Sequence, residues 1–397
     1  MKIVLFDTPE IYENLLPLSY TRPVAAFRVG IVTIAEKWQH FLPGDYCYYP
    51  KDYLREKFTC VCDENDCLFI AGNRLPDAEC AAEAAALSQG CALRDNWGIW
   101  AFRGSKEDFD ALPADAGSES ATISRRINYV FDIFLNNARE IKADFDWLTD
   151  GKKSAAPSEL TSIIGNQKLE DGRPALFIEP GAVVDAAVIN LKDGPVYIGA
   201  NAHVMEGSVL RGPLAVCNNA KIRMGAKIYS SSTFGPYCKV GGEVDNSVLF
   251  GYSNKAHDGY LGNAVIGEWC NIGAGTNCSN LKNDYSKIRI WNYATQSFMR
   301  TDLQFCGLIM GDHSKAGVNC MFNTATVVGV GVNFHGAGFP RQFIPSFQNG
   351  SPTGFSDVSI DTFMNIAQRV MSRRDIELTD VDRRIFDQIY KSAQRFK

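Results

Sequence analysis

Between Asn254 and Asn280 the chain reads NKAHDGYLGNAVIGEWCNIGAGTNCSN. Lys255, His257, Asp258 and Tyr260, four groups able to move or hold protons, fall within six positions of one another. Histidine titrates nearest neutrality and is the commonest general base, so His257 is the candidate to take a proton from an attacking nucleophile. Glu243 or Asp258 are candidates to orient its imidazole. A lone histidine is more often structural, so the argument turns on what holds this one in place.

The flanking sequence keeps a six-residue beat. From Ile198, apolar residues recur at Val204, Leu210, Val216, Ile222, Ile228, Phe234 and Val240. Small residues follow four places after most of these anchors, at Ala202, Ser208, Ala220, Ala226, Ser232 and Cys238. The beat returns as Tyr260, Ile266 and Ile272, with Ala264, Cys270 and Thr276 in the small slot, and again as Met310, Ala316, Phe322, Val328 and Phe334. Six steps of about 100° do not close on one face of an α-helix. Three hexapeptides do close one triangular coil, with each anchor inside and a small partner at the tight corner. The pattern predicts a left-handed parallel β-helix over residues 177–340. Between Val240 and Tyr260 the register slips, which predicts a loop leaving the prism and carrying the proton-moving groups.

Residues 1–150 lack the hexad. KIVLF, CLFIAG and GIWAF read as buried strands, while DAECAAEAAALSQ and INYVFDIFLNNAREIKADFDW read as helices, an α/β pattern. Residues 151–176 open on a polar, breaker-rich stretch and are expected to be a linker. Residues 341–397 are expected to be a helical extension, with Ser359 or Asp361 and Thr379 or Asp380 as N-caps of two amphipathic helices.

A nucleotide-binding N-terminal domain would be expected to carry a glycine-rich loop after its first strand. None is present: the first glycine is Gly30. Arg22, Arg28 and Lys37 are instead the candidate phosphate ligands of this half, with Arg74 further on, since guanidinium groups bracketing a turn can clamp phosphate oxygens. The same residues serve equally well as salt-bridge partners of Asp7 or Glu36. Asp7 is the one obvious early carboxylate for a metal.

From Lys255 to Asn280 the sequence resembles the acetyltransferase half of the GlmU-type enzymes, bifunctional N-acetylglucosamine-1-phosphate uridylyltransferase/glucosamine-1-phosphate N-acetyltransferases. His257, Tyr260, Gly262, Ile266, Gly267, Asn271, Gly273, Ala274, Gly275, Thr276 and Asn280 meet that family's signature, and IRMGA at 222–226 is similar to its arginine-bearing coil. The resemblance implies His257 as the base that deprotonates a sugar amine attacking acetyl-CoA. It implies Arg223, Lys255, Tyr260, Asn271 and Asn280 as ligands of the sugar phosphate, and the backbone at Ala274 against the thioester. Two departures stand out: Leu281 replaces a tyrosine, and a lysine expected before the histidine falls on Asp245, with Lys239 or Lys255 as replacements. The N-terminal half more loosely resembles a divergent sugar nucleotidyltransferase domain, which implies UTP or dTTP as substrate and Mg²⁺ as a candidate cofactor. The family also implies a homotrimer, and acetyl-CoA and an amino-sugar phosphate as small-molecule partners in nucleotide-sugar synthesis.

The chain has 397 residues, 46% of them hydrophobic and 21% charged, and a net charge of −5. That balance argues against a dedicated nucleic-acid partner, and no apolar run is long enough for a membrane span, so a cytoplasmic protein is expected. The twelve cysteines show no zinc-ligand spacing; Cys60 and Cys62 flank a single residue. Cys238, Cys270 and Cys320 fall in the small slot of the repeat and read as packing residues. A solenoid metal site would need converging histidines, and His203, His257 and His313 are too widely spaced to argue for one. The rival from another class is a non-catalytic trimeric scaffold or nucleotide-sugar sensor with a degenerate N-terminal domain.

Overall fold

The structure is a computed structural model describing residues 1–60, 65–123 and 125–397. Cys62 lies outside the described residues.

Lys2–Phe6 is a wholly internal strand flanked by parallel neighbours Asp45–Tyr49 and Cys67–Ala71. Gly98–Gly104 then pairs antiparallel with Cys67–Ala71, and Ala92–Asp95 and Ser118–Glu119 complete a six-stranded mixed sheet. The near-continuous apolar run Ile3–Phe6 is what a strand covered on both faces requires. Helices Ile34–Phe41 and Ala78–Ala85 start on side-chain caps from Thr33 and Asp77. Helix Asp132–Thr149 turns its apolar side towards the second half of the chain, where Phe145 meets Phe177 edge to face.

That second half is a left-handed parallel β-helix with three faces. The first carries nine strands from Leu176–Ile178 to Phe343–Ile344. The second carries ten, from Val183–Val184 to Gly354–Asp357, and the third eight. Every rung is parallel except the last, where Gln348–Ser351 turns back on Gly354–Asp357. Ile198, Val204, Leu210, Val216, Ile222, Ile228, Phe234 and Val240 are all interior, at 3% exposure or less. Each small-slot residue named above is buried beside them, the cysteines included.

Three expectations are corrected. The coils run past both expected boundaries: Ser162–Ile164 already pairs with Val188–Asn190, and Gln348–Ser351 still pairs with Asn333–Phe334. The slip after Val240 is no loop. Strands Glu243–Asp245, Val248–Gly251 and Asn254–Lys255 continue all three faces, with shorter corners between them. The contraction shifts the interior anchor from Tyr260 to Leu261, which is fully buried while Tyr260 points outward. Where the prism does open is 281–307, an excursion bearing the hairpin Arg289–Asn292/Ser297–Arg300. Tyr293 at its tip packs on Tyr20 of the N-terminal domain and on Phe396.

The C-terminal helices form as expected: Ile360–Ser372 is capped by Ser359, and Asp380–Ala393 by Thr379 in a capping box with Asp382. They lie against the corner between the first and second faces, where Phe363 meets Phe347 and Phe386 meets His313. Lys57 of the N-terminal domain binds Asp382 at 2.7 Å, so the last helix ties both halves together. Among the described residues no helix is long and apolar enough to cross a membrane.

Candidate functional site

Strands Lys221–Ile222, Lys239–Val240, Asn254–Lys255 and Asn271–Ile272 stack on the second face. The corner that follows each strand is where Arg223, Gly241, Ala256 and Gly273 sit. Hydrogen bonds from Arg223 N to Val240 O (2.8 Å), Gly241 N to Lys255 O (2.7 Å) and Gly275 N to Asp258 O (2.9 Å) hold successive corners in register. This ladder brings Arg223, His257 and Ala274, far apart in sequence, onto the rim of one open cavity of about 480 Å³. Two glycines make the approach possible. A Cβ on Gly242 (φ +71°) would lie 2.6 Å from His257 O, and one on Gly259 (φ +121°) 2.1 Å from Thr276 O. His257 is exposed, and among the described residues its imidazole has no hydrogen-bond partner, so neither Glu243 nor Asp258 orients it.

Lys255 is not in this cavity, and its expected role as a sugar-phosphate ligand is corrected. It occupies the interior anchor position between Val240 and Ile272, is 1% exposed, and its Nζ donates to His257 O at 2.6 Å. Burial pulls its ammonium down to about 8, against smaller opposing pulls from Cys278 and Asp258. A lysine there works from beneath, fixing the backbone that carries His257.

The remaining expected ligands stand on other walls. Tyr260 faces outward on the third face, where Asn280 Nδ2 donates to its hydroxyl at 3.0 Å and to Asn263 Oδ1 at 2.7 Å. Burial and nearby Asp245 push the Tyr260 phenol up to about 12, so it is a neutral hydrogen-bonding group at physiological pH. Asn271 faces a neighbouring cavity on the second face, of about 330 Å³, beside Lys239 and Lys315. Within one chain the structure therefore unites Arg223, His257 and Ala274, and separates from them the Tyr260–Asn280 pair and Asn271.

The chain is similar to known proteins over parts of its length. Residues 3–153 match the family model described as sugar nucleotidyl transferase. Bifunctional protein GlmU of Trichodesmium erythraeum is 30% identical over 138 residues, 34% of this chain and 24% of that protein. Bifunctional protein GlmU of Synechococcus elongatus is 26% identical over 192 residues, 46% of this chain and 37% of that protein. Over these stretches the chain is similar to GlmU proteins, and its N-terminal part to sugar nucleotidyl transferases. Its matches span between a quarter and two fifths of the length of these two relatives. Among solved structures, the polysialic acid O-acetyltransferase OatWY aligns with 50% of this chain and 88% of its own at 14% identity and a TM-score of 0.23. The UDP-N-acetylglucosamine acyltransferase from Campylobacter jejuni covers 57% of this chain and 82% of its own, at 17% identity and a TM-score of 0.14.

In the N-terminal domain the expected phosphate ligands are corrected one by one. Arg22 is 7% exposed and reaches across to the β-helix, binding Glu268 at 2.8 Å and also Asp312. Lys37, 1% exposed, lies between Glu140 at 2.9 Å and Asp144. Arg74 binds Asp95 and lies over the Trp100 ring at 4.2 Å. Arg28 donates to Ile31 O beside Cys217 of the prism. Each of these cations is engaged within the fold, with partners other than Asp7 and Glu36. Asp7 accepts from Val24 N, and burial raises its carboxyl to about 7. Among the described residues no cluster of three or more metal-ligating side chains forms. His203 pairs with Asp185 at 3.0 Å and His313 is buried beside Trp269, both apart from His257.

Sequence reasoning missed Lys315, Arg373 and Arg374. A signal for the first was available: Lys221, Lys239 and Lys315 each precede an interior anchor, which places them in one outward-facing column. The arginines end a helix far along the chain, and only the folded packing brings them to that column.

Proposed function

We propose that this protein is an acyltransferase of nucleotide-sugar metabolism, moving an acetyl group from acetyl-CoA to the amine of a sugar phosphate. The carrying observation is the convergence of Arg223, His257 and Ala274 on one open cavity from successive coils. The amine nitrogen attacks the thioester carbonyl carbon as His257 removes the amine proton; the carbon–sulfur bond then breaks and coenzyme A leaves as its thiol. Arg223 supplies charge for the sugar phosphate, and the backbone at Ala274 lies against the thioester, where an N–H donor would steady the developing oxyanion. Tyr260 with Asn280, and Asn271, stand on separate faces of the same prism. Packing of three prisms side by side, the assembly implied by the family resemblance, is the arrangement in which we place them at a shared site.

The N-terminal domain is proposed to be weak or inactive in nucleotidyl transfer with UTP or dTTP. Support comes from the absence of a glycine-rich loop before Gly30 and from the carboxylates that occupy Arg22, Lys37 and Arg74. The test is direct. The full chain is incubated with acetyl-CoA and a panel of amino-sugar phosphates, with and without UTP, dTTP and Mg²⁺, while free thiol and pyrophosphate are followed separately. Thiol release dependent on the amino sugar is expected. Its absence across the panel would remove the acyl-transfer reading, and brisk pyrophosphate release from UTP and a sugar 1-phosphate would overturn the N-terminal one. Light scattering returning a monomer at micromolar concentration would remove the trimer.

A further inference from the structure

The second face carries a feature that acyl transfer at His257 does not use. Two residues before six successive strands of this face the backbone enters the left-handed region: Asn201, Asn219, Tyr237, Tyr252, Trp269 and His313 all have φ between 53° and 62°. Asparagine and glycine adopt that conformation at least cost, and bulky side chains there are strained. From Tyr237 onward the chain nevertheless installs rings at four successive corners. They stack: Tyr237 on Tyr252 at 5.0 Å, Tyr252 on Trp269 at 4.2 Å, Trp269 on His313 at 6.0 Å. The C-terminal helices cover the His313 end, which explains that end as packing. The other end is open, with Tyr237 39% exposed.

Beside this ladder lies the 330 Å³ cavity, whose cations are Lys239, Lys315, Arg373 and Arg374. No carboxylate lines it among the described residues, in contrast to every cation buried in the N-terminal domain. Burial and then the neighbouring positive charges, Arg374 foremost, hold the Lys239 ammonium below the ordinary lysine range; burial does the same to Lys315. Asn254 Oδ1, also on the cavity wall, is buried without a hydrogen-bond partner. A row of uncompensated cations calls for an anion, an orphaned acceptor calls for a ligand N–H or O–H, and an open aromatic stack calls for a flat ring.

The geometry points to a nucleotide site here: a nucleoside bearing two or more phosphates, its phosphates on Lys239, Lys315, Arg373 and Arg374 and its base continuing the Tyr252–Tyr237 stack. Two sources share that chemistry, a nucleoside diphosphate (free or on a sugar) and the nucleotide end of coenzyme A. The cavity shares Asn271 with the proposed acyl-transfer site, but the nucleotide site stands whether or not acyl transfer occurs at His257.

Calorimetric titration of the full chain with UDP, ADP, coenzyme A and inorganic pyrophosphate tests it. Saturable binding of at least one nucleotide is expected, weakening with added salt. Lys239→Ala with Arg373→Gln is expected to weaken binding about tenfold or more, the size of losing charge-assisted contacts. Arg373 is exposed, so the single Arg373→Gln variant keeps the fold and should show part of that loss. Tyr252→Leu is expected to weaken nucleotides and leave pyrophosphate unchanged. His257→Ala should bind UDP and ADP as tightly as the parent, which separates this site from the acyl-transfer proposal. UDP binding tighter than coenzyme A assigns a nucleotide-sugar source, and the reverse order the cosubstrate. No binding of any nucleotide at millimolar concentration, or binding indifferent to the double variant, overturns the proposal. Pyrophosphate binding as tightly as every nucleotide overturns its aromatic half.

Discussion

The two halves of this molecule use the same residue types for opposite ends. In the α/β domain, Arg22, Lys37 and Arg74 are nearly inaccessible, and each meets at least one carboxylate. On the second face of the β-helix, Lys239, Lys315, Arg373 and Arg374 share a cavity wall with no carboxylate among the described residues. A buried cation without a counter-charge is expensive, so the α/β domain supplies Glu140, Asp144, Asp95 and, from the other half, Glu268 and Asp312. Cations bordering an open cavity can be matched by an external anion in place of an internal acid. Position in a motif does not distinguish the two. The presence of an acid within reach does.

The sharpest way to break this contrast is Lys37→Ala. It strands Glu140 and Asp144 with their negative charges in the core, and removing one partner of a buried pair costs about 3–5 kcal/mol. Chemical denaturation should show a loss of that size at pH 7. Asp144, held up to about 6 by burial despite Lys37, protonates more readily than an ordinary carboxylate, so the loss should shrink at pH 5. A variant as stable as the parent would mean that the N-terminal cations are not structural.

His257→Ala probes the other side of the comparison. The His257 imidazole is exposed and, among the described residues, has no hydrogen-bond partner, so its removal should leave the melting temperature unchanged. Thiol release should fall by ~10²–10⁴-fold, the usual contribution of a general base. Wild-type turnover in a folded variant would make the histidine incidental. Next in size, Gly242→Ala forces a Cβ against His257 O at a left-handed position. A destabilisation of about 1–3 kcal/mol is expected, with a drop in rate as the His257 backbone shifts.

The coil architecture was legible because interior anchors and small corners must repeat. Each residue from Ile198 to Val240 obeys one geometric rule, and no distant contact can change it. The contraction after Val240 was not legible as such. A shortened corner and an excursion both erase a six-residue beat, and only the pairing of Glu243–Asp245 with Tyr260–Gly262 tells them apart. For the same reason Tyr260 passed for an anchor: a one-residue slip exchanges inside and outside on a strand. Of the candidate site, Arg223, His257 and Ala274 were readable from a local motif because neighbouring coils stack locally. The ion pairs of Arg22 and Lys37 span long sequence separations and could not be read without the fold.

Lys255 tests the contrast from between its two poles, since it is a cation buried in the prism whose Nζ is held by a backbone carbonyl. Lys255→Met keeps the volume and removes both the charge and the bond to His257 O. At pH 7 the relieved burial cost and the lost hydrogen bond oppose each other, so stability should change by no more than about 1 kcal/mol. The pH dependence is more telling. The folded ammonium titrates near 8 and the unfolded one near ~10.4, so between those values the unfolded chain binds the extra proton. Stability of the parent therefore gains from this residue as pH rises from about 8 to about 10, by at most ~1.4 kcal/mol per pH unit. The buried cysteines and tyrosines, whose folded values are raised, pull the other way, so the quantity to measure is the difference between parent and variant. That difference should be flat below pH 8 and should grow in the parent's favour above it. Thiol release by the variant should fall, because the segment that presents His257 has lost its anchor. A difference that stays flat from pH 7 to 10 would show that Lys255 keeps its charge inside the prism. In that case the rule that buried cations here require an acid would fail at Lys255, which among the described residues is held by a backbone carbonyl alone.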